Sequence, residues 1–132
     1  MAEVSNYKNS EFCWLELGTT DRAKATTFYS KLFGWNSFEM PVEQTGGYSM
    51  FLLNEKPVAG FYQLMQEQID QHIPSHWMSY LKTDDIAASV EKVKNSGGQI
   101  VVDIQHVPTQ GSMALAMAPD GGMFGFWQPE NH

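Results

Sequence analysis

Sliding this chain along itself by 64 residues brings its two halves into register without a gap, and nothing else in the sequence constrains the fold as much. "FCWLELGTTDRAKATTFYSKLFGW" (12–35) meets "WMSYLKTDDIAASVEKVKNSGG" (77–98). Leu17 falls on Leu81, Thr19 on Thr83, Asp21 on Asp85, Ala23 on Ala87 and Gly34 on Gly98. Farther along, Thr45 falls on Thr109 and Gly47 on Gly111. The identities are few, but they sit at turns and helix ends, where the backbone restricts residue choice. We read them as a structural duplication.

Each copy reads as a strand, a helix and three more strands. In the first, Thr20 is the expected N-cap, with Asp21 in the favourable first turn. Ala25, Phe28, Tyr29, Leu32 and Phe33 then recur at the spacing of a helix lying on a sheet, which makes them core. In the second, Ile86, Val90 and Val93 form a thinner stripe, and Gly97-Gly98 supplies the positive φ that stops the helix. The strand segments that follow are "WNSFEM", "YSMFLL" and "VAGFYQL" in one copy, "QIVVDI", "SMALAMA" and "MFGFWQ" in the other. The turns "NEKP" and "APDG" before the last strands are again 64 apart. The expected class is α+β: two tandem βαβββ modules, about 11–65 and 76–129, forming a curved eight-stranded barrel-like sheet with helices outside and a cavity between the halves. Neither half could cover both faces of its own four strands, so 1–132 reads as one domain. The polar "QEQIDQHIPS" (66–75) reads as an exposed linker.

Composition narrows the function. A chain of 132 residues with 42% hydrophobic and 17% charged residues is globular rather than disordered. The net charge is −7 and no Lys/Arg cluster occurs, which argues against nucleic acid as a partner. No apolar run approaches a membrane span, so no membrane partner is expected. The polar start "MAEVSNYKNSEF" has no apolar core, so it reads as a loose arm rather than a signal peptide. One cysteine, Cys13, excludes an internal disulfide and a thiolate cluster, and makes a cytoplasmic address the default. Gly46-Gly47, Gly97-Gly98 and Gly121-Gly122 are turn pairs that open no helix, so a phosphate cradle is not expected.

In their order, "DRAKATTFYSKLFGW" (21–35), "WMSYLKTDDI" (77–86) with "SGG" (96–98), and "APDGGMFGFW" (118–127) resemble the vicinal oxygen chelate superfamily. That group contains glyoxalase I, extradiol dioxygenases, methylmalonyl-CoA epimerase and the bleomycin- and fosfomycin-resistance proteins. The likeness covers residues 11–129. It implies a homodimer that binds a small organic molecule, or else a lyase, isomerase or dioxygenase-like enzyme acting on a small oxygenated substrate. One scaffold here carries several chemistries, so the fold alone does not choose. The resemblance also implies four inward-facing metal-ligand positions, and these fall on Trp14, Phe61, Met78 and Gly125. Catalytic and structural cations take imidazole or carboxylate. An indole, a phenyl ring, a thioether and a glycine offer neither, although Glu16 or His76 could approach from neighbouring positions. We therefore expect no metal and no other cofactor.

Strand alternation extends each of these positions along its face. The expected ligand-binding set is Trp14, Phe61, Gln63, His76, Met78, Gly125 and Trp127, with Glu16 and Tyr80 as a catalytic acid–base pair. Aromatic walls with a few polar points suit a small-molecule pocket. The same aromatics could instead be barrel filler, and Glu16 could sit solvated at a rim. A buried Glu16 would need a partner or an altered proton affinity. Cys13 alternates to the opposite face from Trp14, packed against a helix and inert. His72 and His76 are four apart, but Pro74 between them argues against a helical metal pair.

Overall fold

The computed structural model describes residues 6–39 and 48–130. Thr45, Gly46 and Gly47, and Met40 at the end of "WNSFEM", lie outside the described residues. The class is α+β. Described are strands β1 (Phe12–Thr19), β2 (Asn36–Glu39), β3 (Ser49–Leu53), β4 (Lys56–Gln63), β5 (His76–Lys82), β6 (Gln99–Val107), β7 (Gly111–Met117) and β8 (Met123–Pro129), with helices α1 (Arg22–Phe33), α2 (Gln66–Asp70) and α3 (Ile86–Asn95). Among the described residues no helix is long and apolar enough to cross a membrane.

The chain divides into two compact units, Trp14–Trp77 and Met78 onward, with Asn6–Cys13 belonging to the second. In the first unit the strands run β2-β3-β4-β1. β1 and β4 are parallel, with Glu16 opposite Gly60 and Gly18 opposite Tyr62, and the other pairs are antiparallel. In the second unit the order is β5-β8-β7-β6, again with the unit's first and last strands as the parallel pair, and Tyr80 opposite Gly125. Each unit packs its own helix on one face of its sheet. Leu17, Ala25, Phe51, Ala59 and Phe61 form the first core, with Tyr29, Trp35 and Val58 against it. Ile86, Val90 and Ala114 form the second, with Ile100 and Phe126 against it.

The helix starts are built twice from the same parts. Asp21, not Thr20, is the N-cap of α1, and its carboxylate accepts from Lys24 N at 3.0 Å. Asp85 does the same for α3, accepting from Ala88 N at 3.1 Å. Thr19 and Thr83 each accept from the N–H of the cap residue two positions on. A glutamine from the unit's last strand then takes up one more orphan donor: Gln63 Oε1 accepts from Arg22 N at 3.0 Å, and Gln128 Oε1 from Ile86 N at 2.8 Å. An aspartate wins over a threonine here because its charge also favours the positive end of the helix.

Gln63 and Gln128 are 65 residues apart, not 64, and so are Gly60 and Gly125. The left-handed glycine that ends each helix is Gly34 in one copy and Gly97 in the other, one residue less than 64. Two bulges in β6, between Ile100 and Val102 and between Val102 and Gln105, then add a residue each. The spacing of 64 holds for the first strand and the helix start, and fails by one in the last hairpin.

Three further expectations change. The α1 stripe is not all core: Ala25 is buried and Tyr29 half-buried, but Phe28, Leu32 and Phe33 are 57%, 56% and 51% exposed. A helix on a sheet buries a narrow strip, and the outer part of this wide stripe lies beyond it. The 66–75 linker contains a helix, α2, whose start is held by Gln68, its Oε1 accepting from Met65 N at 2.9 Å. The arm is tied down over residues 9–11: Ser10 N donates to Lys82 O, Lys82 N to Glu11 O, and Asp84 N to Asn9 Oδ1, each at 2.8 to 2.9 Å.

Candidate functional site

The glycines of β1 and β4 locate the site. Residues two apart on a strand share a face, and partners opposite one another in a parallel pair share it too. Leu17 and Phe61 point into the helix core, so Trp14, Glu16, Gly18, Gly60 and Tyr62 take the other face. Tyr48, just before β3, extends over Gly60: a methyl group at that position would overlap the Tyr48 hydroxyl. Tyr62 reaches across to β1 in the same way, and a methyl at Gly18 would lie 2.9 Å from its hydroxyl. The two glycines therefore open floor space that two tyrosines fill.

Both tyrosines feel the charge of Glu16, and Tyr48 is bonded to it. Trp14 Nε1 donates to the Tyr48 hydroxyl at 2.8 Å, and that hydroxyl is hydrogen-bonded to the Glu16 carboxylate. An ionised carboxylate only accepts, so the proton of the phenol lies toward Glu16 and the chain runs Trp14 to Tyr48 to Glu16. Burial pushes the Tyr48 phenol far above its ordinary 10.0, the nearby Glu16 charge pushes it further, and the Trp14 hydrogen bond pulls slightly back. Burial also raises Tyr62, with the Glu16 charge as second cause. Both phenols thus stay protonated donors throughout the ordinary pH range.

Of the expected site residues in this unit, Trp14 and Glu16 lie on one face of β1, and both are half-buried. Phe61 and Gln63 do not join them. Phe61, 1% exposed, stacks on Phe51 at 4.1 Å under the Arg22 guanidinium. Gln63 holds the start of α1, its Nε2 also donating to Thr20 O at 2.8 Å. The slip of one residue in the repeat put these two on the wrong face; their neighbours Gly60 and Tyr62 are on the site side. His76 is half-buried, with Nδ1 2.9 Å from Pro74 O. A carbonyl only accepts, so Nδ1 carries the proton.

In the second unit, Met78 and Tyr80 are buried on β5. Tyr80 covers Gly125: a methyl there would come within 2.5 Å of the ring. Trp127 is half-buried opposite Met113, and its carbonyl accepts from Thr83 N at 2.9 Å. Gly125 therefore gives its space to the Tyr80 ring. Cys13 is half-buried, and burial pushes its thiol up, against the opposing pull of Lys82, which suits an unreactive side chain.

The metal positions implied by the resemblance do not fit a metal. Trp14 presents an N–H already given to Tyr48, Phe61 is inside the helix core, and Met78 and Gly125 bring no hard donor. Replacing Phe61 by its site-side neighbours brings only Gly60 or the phenol of Tyr62. Among the described residues no three His, Cys, Asp or Glu side chains gather as a metal cluster.

Residues 12–126 match the Glyoxalase/Bleomycin resistance protein/Dioxygenase superfamily. CFP32 of Mycobacterium tuberculosis, named only provisionally as a glyoxylase, is 35% identical over all of this chain and 51% of its own length. DnrV of Streptomyces peucetius, an anthracycline biosynthesis protein, is 31% identical over 87% of this chain and 46% of its own. The chain thus spans about half the length of these relatives. Among solved structures, methylmalonyl-CoA epimerase from Mycobacterium tuberculosis shares the fold with TM-score 0.67 and 10% identity, covering 98% of this chain and 95% of that one. The hypothetical protein BH1468 from Bacillus halodurans does so with TM-score 0.70 and 12% identity, covering 95% and 98%.

Proposed function

Since this chain belongs to the Glyoxalase/Bleomycin resistance protein/Dioxygenase superfamily, we propose that it binds a small organic molecule without a metal ion, at the Trp14–Glu16 face of its first module. One observation carries the reading: where the family places a metal-binding imidazole, this chain has an indole whose N–H is spent on Tyr48, beside a carboxylate held by that same tyrosine. Trp14 and the Tyr62 ring give apolar area, and Glu16 and the Tyr62 hydroxyl give directional contacts, which is the usual division in small-molecule sites. Within this module the ligand set from the sequence keeps Trp14 and His76, gains Gly60 and Tyr62, with Tyr48 holding Glu16 beside them, and loses Phe61 to the helix core and Gln63 to the start of α1; Met78, Gly125 and Trp127 belong to the second module. Homodimer formation and a cytoplasmic address belong to the same proposal.

The experiment is a thermal-shift and NMR titration with three probe classes: an aryl ketone (acetophenone), a cationic aromatic (benzylamine) and an α-keto acid (phenylpyruvate). A ligand that binds the folded state raises Tm saturably. We expect this with at least one class, and we expect Trp14→Ala to remove it. Flat responses to all three would contradict the reading.

A second reading is an enzyme of the lyase, isomerase or oxygenase kind. It is favoured by Glu16, a half-buried carboxylate held in a fixed position by Tyr48, since a general base must first be positioned. Glu16→Gln that abolishes turnover while leaving probe binding intact would select the enzyme; equal loss of both would select the binding protein.

A further inference from the structure

Tyr48 lies over Gly60 and Tyr62 over Gly18, both under the influence of the Glu16 charge, yet their hydroxyls are in different states. The Tyr48 hydroxyl accepts from Trp14 Nε1 and is bonded to Glu16, so its proton and a lone pair are both committed. It is seated over Gly60, where only a glycine leaves it room. The Tyr62 hydroxyl lies over Gly18, half-buried, with no hydrogen-bond partner among the described residues. No buried side-chain atom in the described structure lacks a partner, so this hydroxyl reaches solvent and is open to an incoming group.

Resting on the small-molecule reading above, we propose that the two tyrosines divide the work: Tyr48, held by Trp14, is a positioning residue that fixes Glu16, and Tyr62 is the hydroxyl presented to the ligand. A phenol next to a carboxylate donates, and the Glu16 charge disfavours an anion beside it. The ligand class that follows is a neutral compound offering an acceptor, an aryl or alkyl ketone or amide, rather than a free carboxylate. Gly18 and Gly60 are part of the same device, since a side chain at either would displace one of the tyrosines.

The test uses the whole chain, with selectively ¹⁵N-labelled tryptophan and the variants Tyr48→Phe and Tyr62→Phe. Each removes one oxygen and keeps the ring. In Tyr48→Phe the Trp14 indole proton is expected to move upfield and to exchange faster with water; in Tyr62→Phe it stays in place. Acetophenone affinity is expected to fall about tenfold in Tyr62→Phe, the loss of one neutral hydrogen bond. Benzoate, its anionic counterpart, is expected to bind more weakly than acetophenone to the wild type. An unmoved indole resonance in Tyr48→Phe, or the same shift in both variants, overturns the positioning role. An unchanged acetophenone affinity in Tyr62→Phe, or tighter benzoate binding, overturns the ligand-facing role. The indole signature needs no ligand. If it appears as expected while acetophenone, benzylamine and phenylpyruvate all fail to bind the wild type, the small-molecule reading falls, and the role of Tyr62 with it.

Discussion

Glycine 60 shows how much a single residue decides. Its missing side chain is the seat of Tyr48, and through Tyr48 it sets where Glu16 lies. Gly60→Ala inserts a methyl into that seat, and urea unfolding should show a loss of about 1–3 kcal/mol. The tyrosines also make a pH prediction. A phenol raised in the folded state binds its proton more tightly there than in the unfolded chain. Its stabilising effect is complete below the ordinary value of 10.0 and is lost as pH rises above it. Unfolding free energy should therefore be flat through neutrality and fall above about pH 10. Removing the negative charge by Glu16→Gln should lower the Tyr62 titration, read from phenolate absorbance, because that charge is one of its two causes. A midpoint unchanged or higher in this variant would show that Glu16 does not act on Tyr62.

At the scale of elements, the helices are held by caps that the sequence half displayed. The Asp21/Asp85 repeat was readable because capping allows few residue types. That Asp21 rather than Thr20 is the cap follows from geometry that spacing does not carry. Asp21→Ala should cost about 1 kcal/mol, and Asp85→Ala a similar amount, by chemical denaturation. Gln63→Ala should cost about 1 kcal/mol as well, for the lost bonds to Arg22 N and Thr20 O. It should leave acetophenone affinity untouched; a fall there would return Gln63 to the site. The signal that would have corrected the reading is in the chain: "GFYQ" (60–63) and "GFWQ" (125–128) match at a spacing of 65. The bulges of β6 that cause the slip have no sequence signature, and without them Phe61 looks like the mate of Gly125. Periodicity was equally mute on α1. It marks Phe28, Leu32 and Phe33 as apolar, but not that they lie beyond the narrow strip that α1 buries. Leu32→Ser should therefore change stability by less than about 1 kcal/mol, whereas Phe51→Ala in the core should cost about 3–5 kcal/mol.

For the whole molecule, the duplication and the family were legible because turns and caps repeat in order along nearly the entire chain. The Trp14–Glu16 pair was legible from strand alternation. Tyr48 and Tyr62 were not, since each joins the site only through a strand pairing between β1, β3 and β4. Sedimentation tests the proposed homodimer: the expected species has twice the 14.9 kDa mass of the chain, and a single species at the chain mass would contradict it. The central claim is that indole, phenols and carboxylate have replaced a metal site. Elemental analysis of the protein after equilibration with Ni²⁺, Zn²⁺, Fe²⁺ or Mn²⁺ and exhaustive dialysis tests it most directly. The account predicts well under one retained metal ion per chain, the same in wild type and in Glu16→Gln; one tightly held ion per chain, lost in Glu16→Gln, would contradict it.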